Sequence, residues 1–161
     1  MDSEIARLFL ASSTQRLRQM AGYIESCLAK LTDDQVWSRG APHENSVGNL
    51  ILHLCGNMRQ WIGSGVGGEQ DIRDRPTEFS TAGGLTTADL SSLLKETVDH
   101  AVAIIDRVTP PRLVEEIHPQ NRTVSVLEAI YQVVTHVHQH AGQIIFATKI
   151  YAGEDLGLYR P

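Results

Sequence analysis

A chain of 161 residues, 42% apolar and 20% charged, has the size and balance of one ordinary globular domain with a real core. A formal charge of −5 and a pI near 5.8 exclude the basic face that nucleic-acid binding requires. No apolar run approaches the ~18 residues of a membrane span, and the acidic start Met-Asp-Ser-Glu lacks a signal-peptide pattern, so a cytoplasmic protein is expected. Cys27 and Cys55 have no CxxC spacing and read as buried thiols in a reducing compartment.

In chain order, Leu10, Ser13, Leu17, Met20, Ile24, Cys27 and Leu31 follow a 3-4 spacing, which predicts a first long helix from about Ser3 to Lys30. Thr32-Asp-Asp-Gln35 is a capping box that starts a short turn ending near Trp37. The stretch Arg39 to Ser46 is loop by composition, and His43 reads as a loop histidine. A second long helix begins near Asn45 or Ser46 and stops before Gly67-Gly68, with Val47, Leu50, Leu54, Met58 and Trp61 on its core face. Beside that face runs a polar stripe of Asn49, His53, Asn57 and Gln60, the mark of a buried pocket or of the wet edge of a bundle. His53 is either a ligand facing another helix or a core-edge histidine bonded to a carbonyl.

From Gly63 to Gly84 the chain is rich in Gly, Thr and charge of alternating sign, which predicts a packed loop or lid with local ion pairs. Its glycines match no phosphate-cradling pattern. Thr86, Asp89 and the Leu85/Leu90 pair then start a third helix, which carries Leu90, Leu94, Val98, Ala101, Ile105 and Val108 inward and is stopped by Pro110-Pro111. His100 on this helix reads as exposed or paired. Arg112 to Thr123 is not helical by pattern; Val114–His118 and Arg122–Val124 predict a small hairpin. Glu115-Glu-Ile-His118 matches the ExxH letters of di-iron bundles but occurs once and is followed by Pro119, so that site is rejected.

Ser125-Val-Leu-Glu128 is another capping box and opens a last helix that should run from about Val126 to Ala152, with Gly153 as its stop. This helix carries the motif His136-Val-His-Gln-His140-Ala-Gly-Gln143. At about 100° per residue, His136 and His140 share a face and can point two imidazoles at one ion, whereas His138 is turned about 200° away. Two ligands hold a metal poorly, and the third histidine on a facing polar stripe is His53. The four amphipathic segments predict an all-α four-helix bundle, a fold that builds metal sites from facing helices. Three neutral imidazoles would leave a divalent ion its full charge and at least one open position, the arrangement of catalytic sites. The competing view is a chance HxxxH in a chain with seven histidines. Asn57 and Gln143, each about one turn from a ligand, are candidate pocket groups or partners of the ligands. No carboxylate lies on either histidine stripe, although Glu44 or Glu78 could reach in from loops. Cys55 lies about 200° around its helix from His53 and should not supply a thiol.

The segments Asn45–Ile62, Arg73–Phe79, Val133–Ile145 and the closing Gly153-Glu-Asp-Leu-Gly-Leu-Tyr159 resemble the DinB/YfiT-like superfamily, and within it a bacterial subfamily of unknown function. The resemblance covers nearly the whole chain as one domain, 1–161. It implies an up-down-down-up bundle, often a homodimer, in which His53, His136 and His140 bind a divalent metal. Some members are transferases or isomerases that use low-molecular-weight thiols such as mycothiol or bacillithiol; others are called hydrolases. For this chain the expectation is a metal-dependent enzyme acting on a small molecule, with zinc or nickel and a thiol cofactor or water as nucleophile. A thiol is favoured over hydrolysis because less help is needed to generate thiolate than hydroxide. The alternatives are a hydrolase and a non-catalytic protein whose metal only staples helices.

Overall fold

A computed structural model describes residues 3–158; Tyr159, the last residue of the closing segment, lies outside them. Four long helices make the frame. They are α1 (Ser3–Leu28), α3 (Val47–Met58), α5 (Thr87–Ile105) and α6 (Val126–Ala152). Two short helices, α2 (Asp33–Trp37) and α4 (Arg75–Ser80), lie in the connections. Thr32, Ser46, Thr86 and Ser125 each form a complete capping box at a helix start, worth about 1 kcal/mol apiece. Gly153, at φ 67°, supplies the left-handed residue that ends α6.

Apolar seams set the packing. α1 and α3 each rest on both α5 and α6. Lys30 and Glu154 pair where α1 and α6 end, so those helices run parallel. Arg18 reaches Asp106 past the end of α5, while Glu25, two turns further along α1, lies near Lys95 in the middle of α5, so α1 and α5 are antiparallel. Val47 and Leu50 at the start of α3 share a cleft wall with Ala147 and Ile150 at the end of α6, and α3 is antiparallel to it. The connectivity is therefore up-down-down-up. This order needs one long crossing, from the end of α3 back to the start of the parallel α5, which the 28 residues between them supply.

Three details differ from the sequence reading. α3 does not end as an α-helix: Arg59–Val66 continue it as a π-helix, in which Gly67 N–H donates to Ile62 O at 2.8 Å. The connection that follows contains α4, started by Asp74, whose carboxylate accepts from Thr77 N–H. The hairpin is shorter than expected, with β1 (Glu116–Ile117) antiparallel to β2 (Val124–Ser125) and Ile117 opposite Val124. Pro110–Val114 is taken up by a 3-10 turn, so the first strand starts late. Among the described residues no helix is long and apolar enough to cross a membrane.

Candidate metal centre

His53 enters the site from α3, where its stripe is held against α4. Asn49, one turn earlier and fully buried, donates through Nδ2 to Glu78 O (2.9 Å) and Thr81 O (2.7 Å). Its Oδ1 accepts from Ser46 and from Arg39 Nη2. Asn49 thus fastens the last turn of α4 to α3, where the Glu78 side chain lies over Gly56. A Cβ on Gly56 would overlap Glu78 Oε1 and lie 2.8 Å from Glu78 Cδ, so only glycine admits the carboxylate there.

The Glu78 carboxylate is a hub. Arg73 grips it twice, Nε to Oε1 at 2.6 Å and Nη2 to Oε2 at 2.8 Å. His53 Nδ1 lies 2.9 Å from Oε2. Burial pushes the Glu78 pKa up, but the hydrogen bonds from Arg73 and His53 more than offset that and hold the group below its ordinary value. An ionised carboxylate only accepts, so the 2.9 Å contact calls for a proton on His53 Nδ1, which in a neutral ring leaves Nε2 bare to ligate; Arg73 Nη2 lies 3.1 Å from the same Nδ1. Gln60 extends the hub: its Oε1 accepts from Arg73 Nη1 and from Gln120 Nε2, and its Nε2 donates to Asp71.

From α6, His136 and His140 complete the group. His140 Nδ1–H donates to Gln143 Oε1 at 2.6 Å, which fixes the same tautomer as in His53. His136 Nε2 sits 3.1 Å from both the His53 and His140 Nε2 atoms, and the three ligand nitrogens lie within 4.8 Å of one another. Two of the three Nε2 atoms are bare, and a proton on His136 Nε2 could serve only one of them. At least one pair of lone pairs therefore faces unprotonated at 3.1 Å, which a cation between them relieves. Tetrahedral ligands with ~2.1 Å bonds stand ~3.4 Å apart, close to this spacing. Burial, with the neighbouring His140 and His53, pushes the His136 pKa down to about 4, so the ring stays neutral and able to ligate at physiological pH. His140 is lowered by burial as well, against the opposing effect of Gln143. The residues fit a divalent ion: three imidazole nitrogens, two of them aimed by hydrogen bonds from behind.

His53 is buried, whereas His136 and His140 are only half-buried, so the triad is open on its α6 side. Gln143 meets His140. Asn57 is buried on the His53 stripe, but its Oδ1 has no hydrogen-bond partner, so it holds no histidine directly. His136 Nδ1 is likewise buried and unpaired. The other histidines stand apart from the triad. His138 Nδ1–H donates to Val134 O, His100 pairs with Glu69 at 2.9 Å, and His43 lines a cleft at the surface. Of the two loop carboxylates, Glu78 reaches the site and Glu44 does not; Glu44 instead accepts from Gly40 and Ala41 N–H. Cys55 is buried, and burial lifts its pKa to about 11.

The helical up-down-down-up bundle has the fold of solved DinB-like proteins. A conserved protein from Enterococcus faecalis superposes with TM-score 0.77 at 17% identity, covering 89% of this chain and 97% of its own. The DinB-like protein YjoA from Bacillus subtilis gives 0.68 at 17%, and a DinB-like protein from Bacillus cereus 0.69 at 16%; each pairing covers 89% of this chain and 93% of the relative. Within that class, the chain belongs to the family described as "Protein of unknown function (DUF1572)", whose model matches residues 4–158. No curated protein matches it.

Proposed function

We propose that this protein is a metal-dependent enzyme in which His53, His136 and His140 hold one divalent ion, zinc or nickel, and a small thiol serves as the nucleophile. The observation that carries the reading is the convergence of three imidazole Nε2 atoms, with Glu78 and Gln143 fixing two of the rings from behind. An ion held by three neutral imidazoles is a Lewis acid that lowers the pKa of whatever donor fills its open position.

The surrounding side chains favour a thiol over water. Hydrolysis wants a free carboxylate or histidine to take a proton from water. Glu78 is the carboxylate that reaches the triad, and both of its oxygens are committed to Arg73 and His53. A thiol needs less help to ionise. The protein's own thiols are out of reach: Cys27 and Cys55 are buried, and burial raises both pKa values. The thiol is therefore external, and the reaction class is transfer or isomerisation of a small electrophile. A homodimer in the cytoplasm belongs to the same proposal.

The test is a screen of the metal-loaded protein against electrophilic substrates, with and without a panel of small thiols. Turnover that requires both metal and thiol is the expected result. Turnover in water alone would mean a hydrolase, and inactivity across the panel would leave a metal that only staples α3 to α6.

A further inference from the structure

Two clefts flank the triad. One, of about 380 Å³, lies behind Glu78 between α3, α5 and residues 69–78, and the Glu78–Arg73 pair closes it off from the histidines. The other, of about 630 Å³, lies between the loop 38–46 and the second half of α6, and Gln143 is in its wall. This second cleft carries two features that the metal site does not explain. Phe146 and Ile150 are 68% and 64% exposed, although both line a concave surface whose floor is the buried pair Val47 and Leu50. And Gln143, an exposed side chain whose Oε1 is taken by His140, leaves its Nε2 free to donate into the cleft.

We infer that this cleft is the substrate site and that it takes a neutral small molecule with an aryl or branched-alkyl body and a carbonyl-type acceptor at one end. The inference rests on the metal reading proposed above. The volume falls in the range of small-molecule sites, about 300–1,000 Å³. The apolar wall of Phe146, Ile150 and Val47 gains by covering a hydrocarbon body. Gln143 Nε2–H2 donates to an acceptor, and that donor belongs to the side chain which touches His140, so the polar end lies toward the triad. The walls carry one cation and one anion, each engaged with neutral groups of the fold, so no net charge selects an ion. Arg39 Nη2 donates to Asn49 Oδ1 and to the carbonyls of Phe79 and Thr81, while Glu44 Oε2 accepts from Gly40 and Ala41 N–H. Formally the two charges cancel. His43 stands at the surface of the same cleft.

N-Benzylacetamide has the stated chemistry and serves as the probe. Saturation-transfer NMR on the metal-free protein should show its ring protons in contact, and the double variant Phe146→Gln/Ile150→Gln should weaken binding about tenfold. Both side chains are exposed, so the variant folds, which circular dichroism checks. In the cobalt(II)-loaded protein the acetyl protons should relax faster than the ring protons, relative to the zinc-loaded form. Absence of binding at millimolar probe, or binding unchanged in the double variant, overturns the cleft as the site. Loss of binding in the variant without faster acetyl relaxation in a protein that does hold cobalt overturns the link from cleft to triad. Failure of cobalt to bind is a separate result: it refutes the metal reading, whereas the variant arm still decides the cleft.

Discussion

Glu78→Gln separates what the carboxylate does for the fold from what it does for the histidines. In the native protein the Arg73 and Glu78 side chains are 4% and 8% exposed, and Arg73 makes two contacts with the carboxylate. Glutamine keeps one acceptor, but its NH2 then confronts a donor of Arg73 or His53, and Arg73 is left as a buried charge without its counter-ion. Removing one partner of such a pair costs about 3–5 kcal/mol. Because Gln60 still accepts from Arg73, the low end, about 3 kcal/mol, applies. In a domain of this size that lowers the melting temperature by about 6–12 °C. Loss of the anion behind His53 Nδ1 also makes Nε2 a poorer donor, so zinc affinity should fall about 10–100-fold. Differential scanning calorimetry of the metal-free protein reads the first effect, and competition with a chromophoric chelator reads the second. Adding Arg73→Met removes the orphaned charge and should restore most of the stability while leaving affinity low. Zinc affinity within twofold of native in Glu78→Gln would refute the role given to Glu78 and leave it a structural ion pair.

Replacing His53, His136 or His140 by Ala should each weaken metal binding at least tenfold, as equilibrium dialysis would show, whereas His138→Ala should not, since its ring caps Val134 O. Gly56→Ala should displace the Glu78 carboxylate and lower both melting temperature and metal affinity; an unchanged protein would mean that Glu78 can shift at no cost. The metal-free protein should lose stability in acid. His136 titrates at about 4 in the fold against ~6.5 in the unfolded chain, so its contribution is complete above ~6.5 and is lost as the pH falls toward 4. His140 is shifted in the same direction and adds to the effect. Allowing for solvent around these half-buried rings, the slope is on the order of 1 kcal/mol per pH unit. Urea unfolding at several pH values checks it, and His136→Gln should show a shallower dependence.

The triad was legible because each histidine lies on a long helix, where spacing alone settles which residues share a face. His136 and His140 are one turn apart on α6, and His53 lies on the polar stripe of the helix opposite. The helix starts were legible for a similar reason, since a capping box is local chemistry that tertiary contacts rarely override. Glu78 was not. It belongs to a helix of six residues in a charged connection, too short for any periodicity, and reaches His53 only because Asn49 and Arg73 hold it there. One signal did point to it: Asp74 with Pro76 just inside is a helix start, and Gly56 beside His53 leaves room for a group from outside the helix. The π-helical stretch Arg59–Val66 left no mark in the apolar pattern, because Trp61, Ile62 and Val66 suit either winding. Asn57 lies on the same stripe as His53 and is buried, with its Oδ1 unpaired, so spacing placed it beside the site without telling what it would hold.

The claim on which the rest depends is that the three Nε2 atoms hold an ion. Elemental analysis of protein purified without chelator or affinity metal, followed by zinc titration of the stripped protein, tests it most directly. The account predicts about one divalent ion per chain, and no stoichiometric binding once His136 is replaced by Ala. A native protein that carries no metal and takes up none on titration at neutral pH would contradict it.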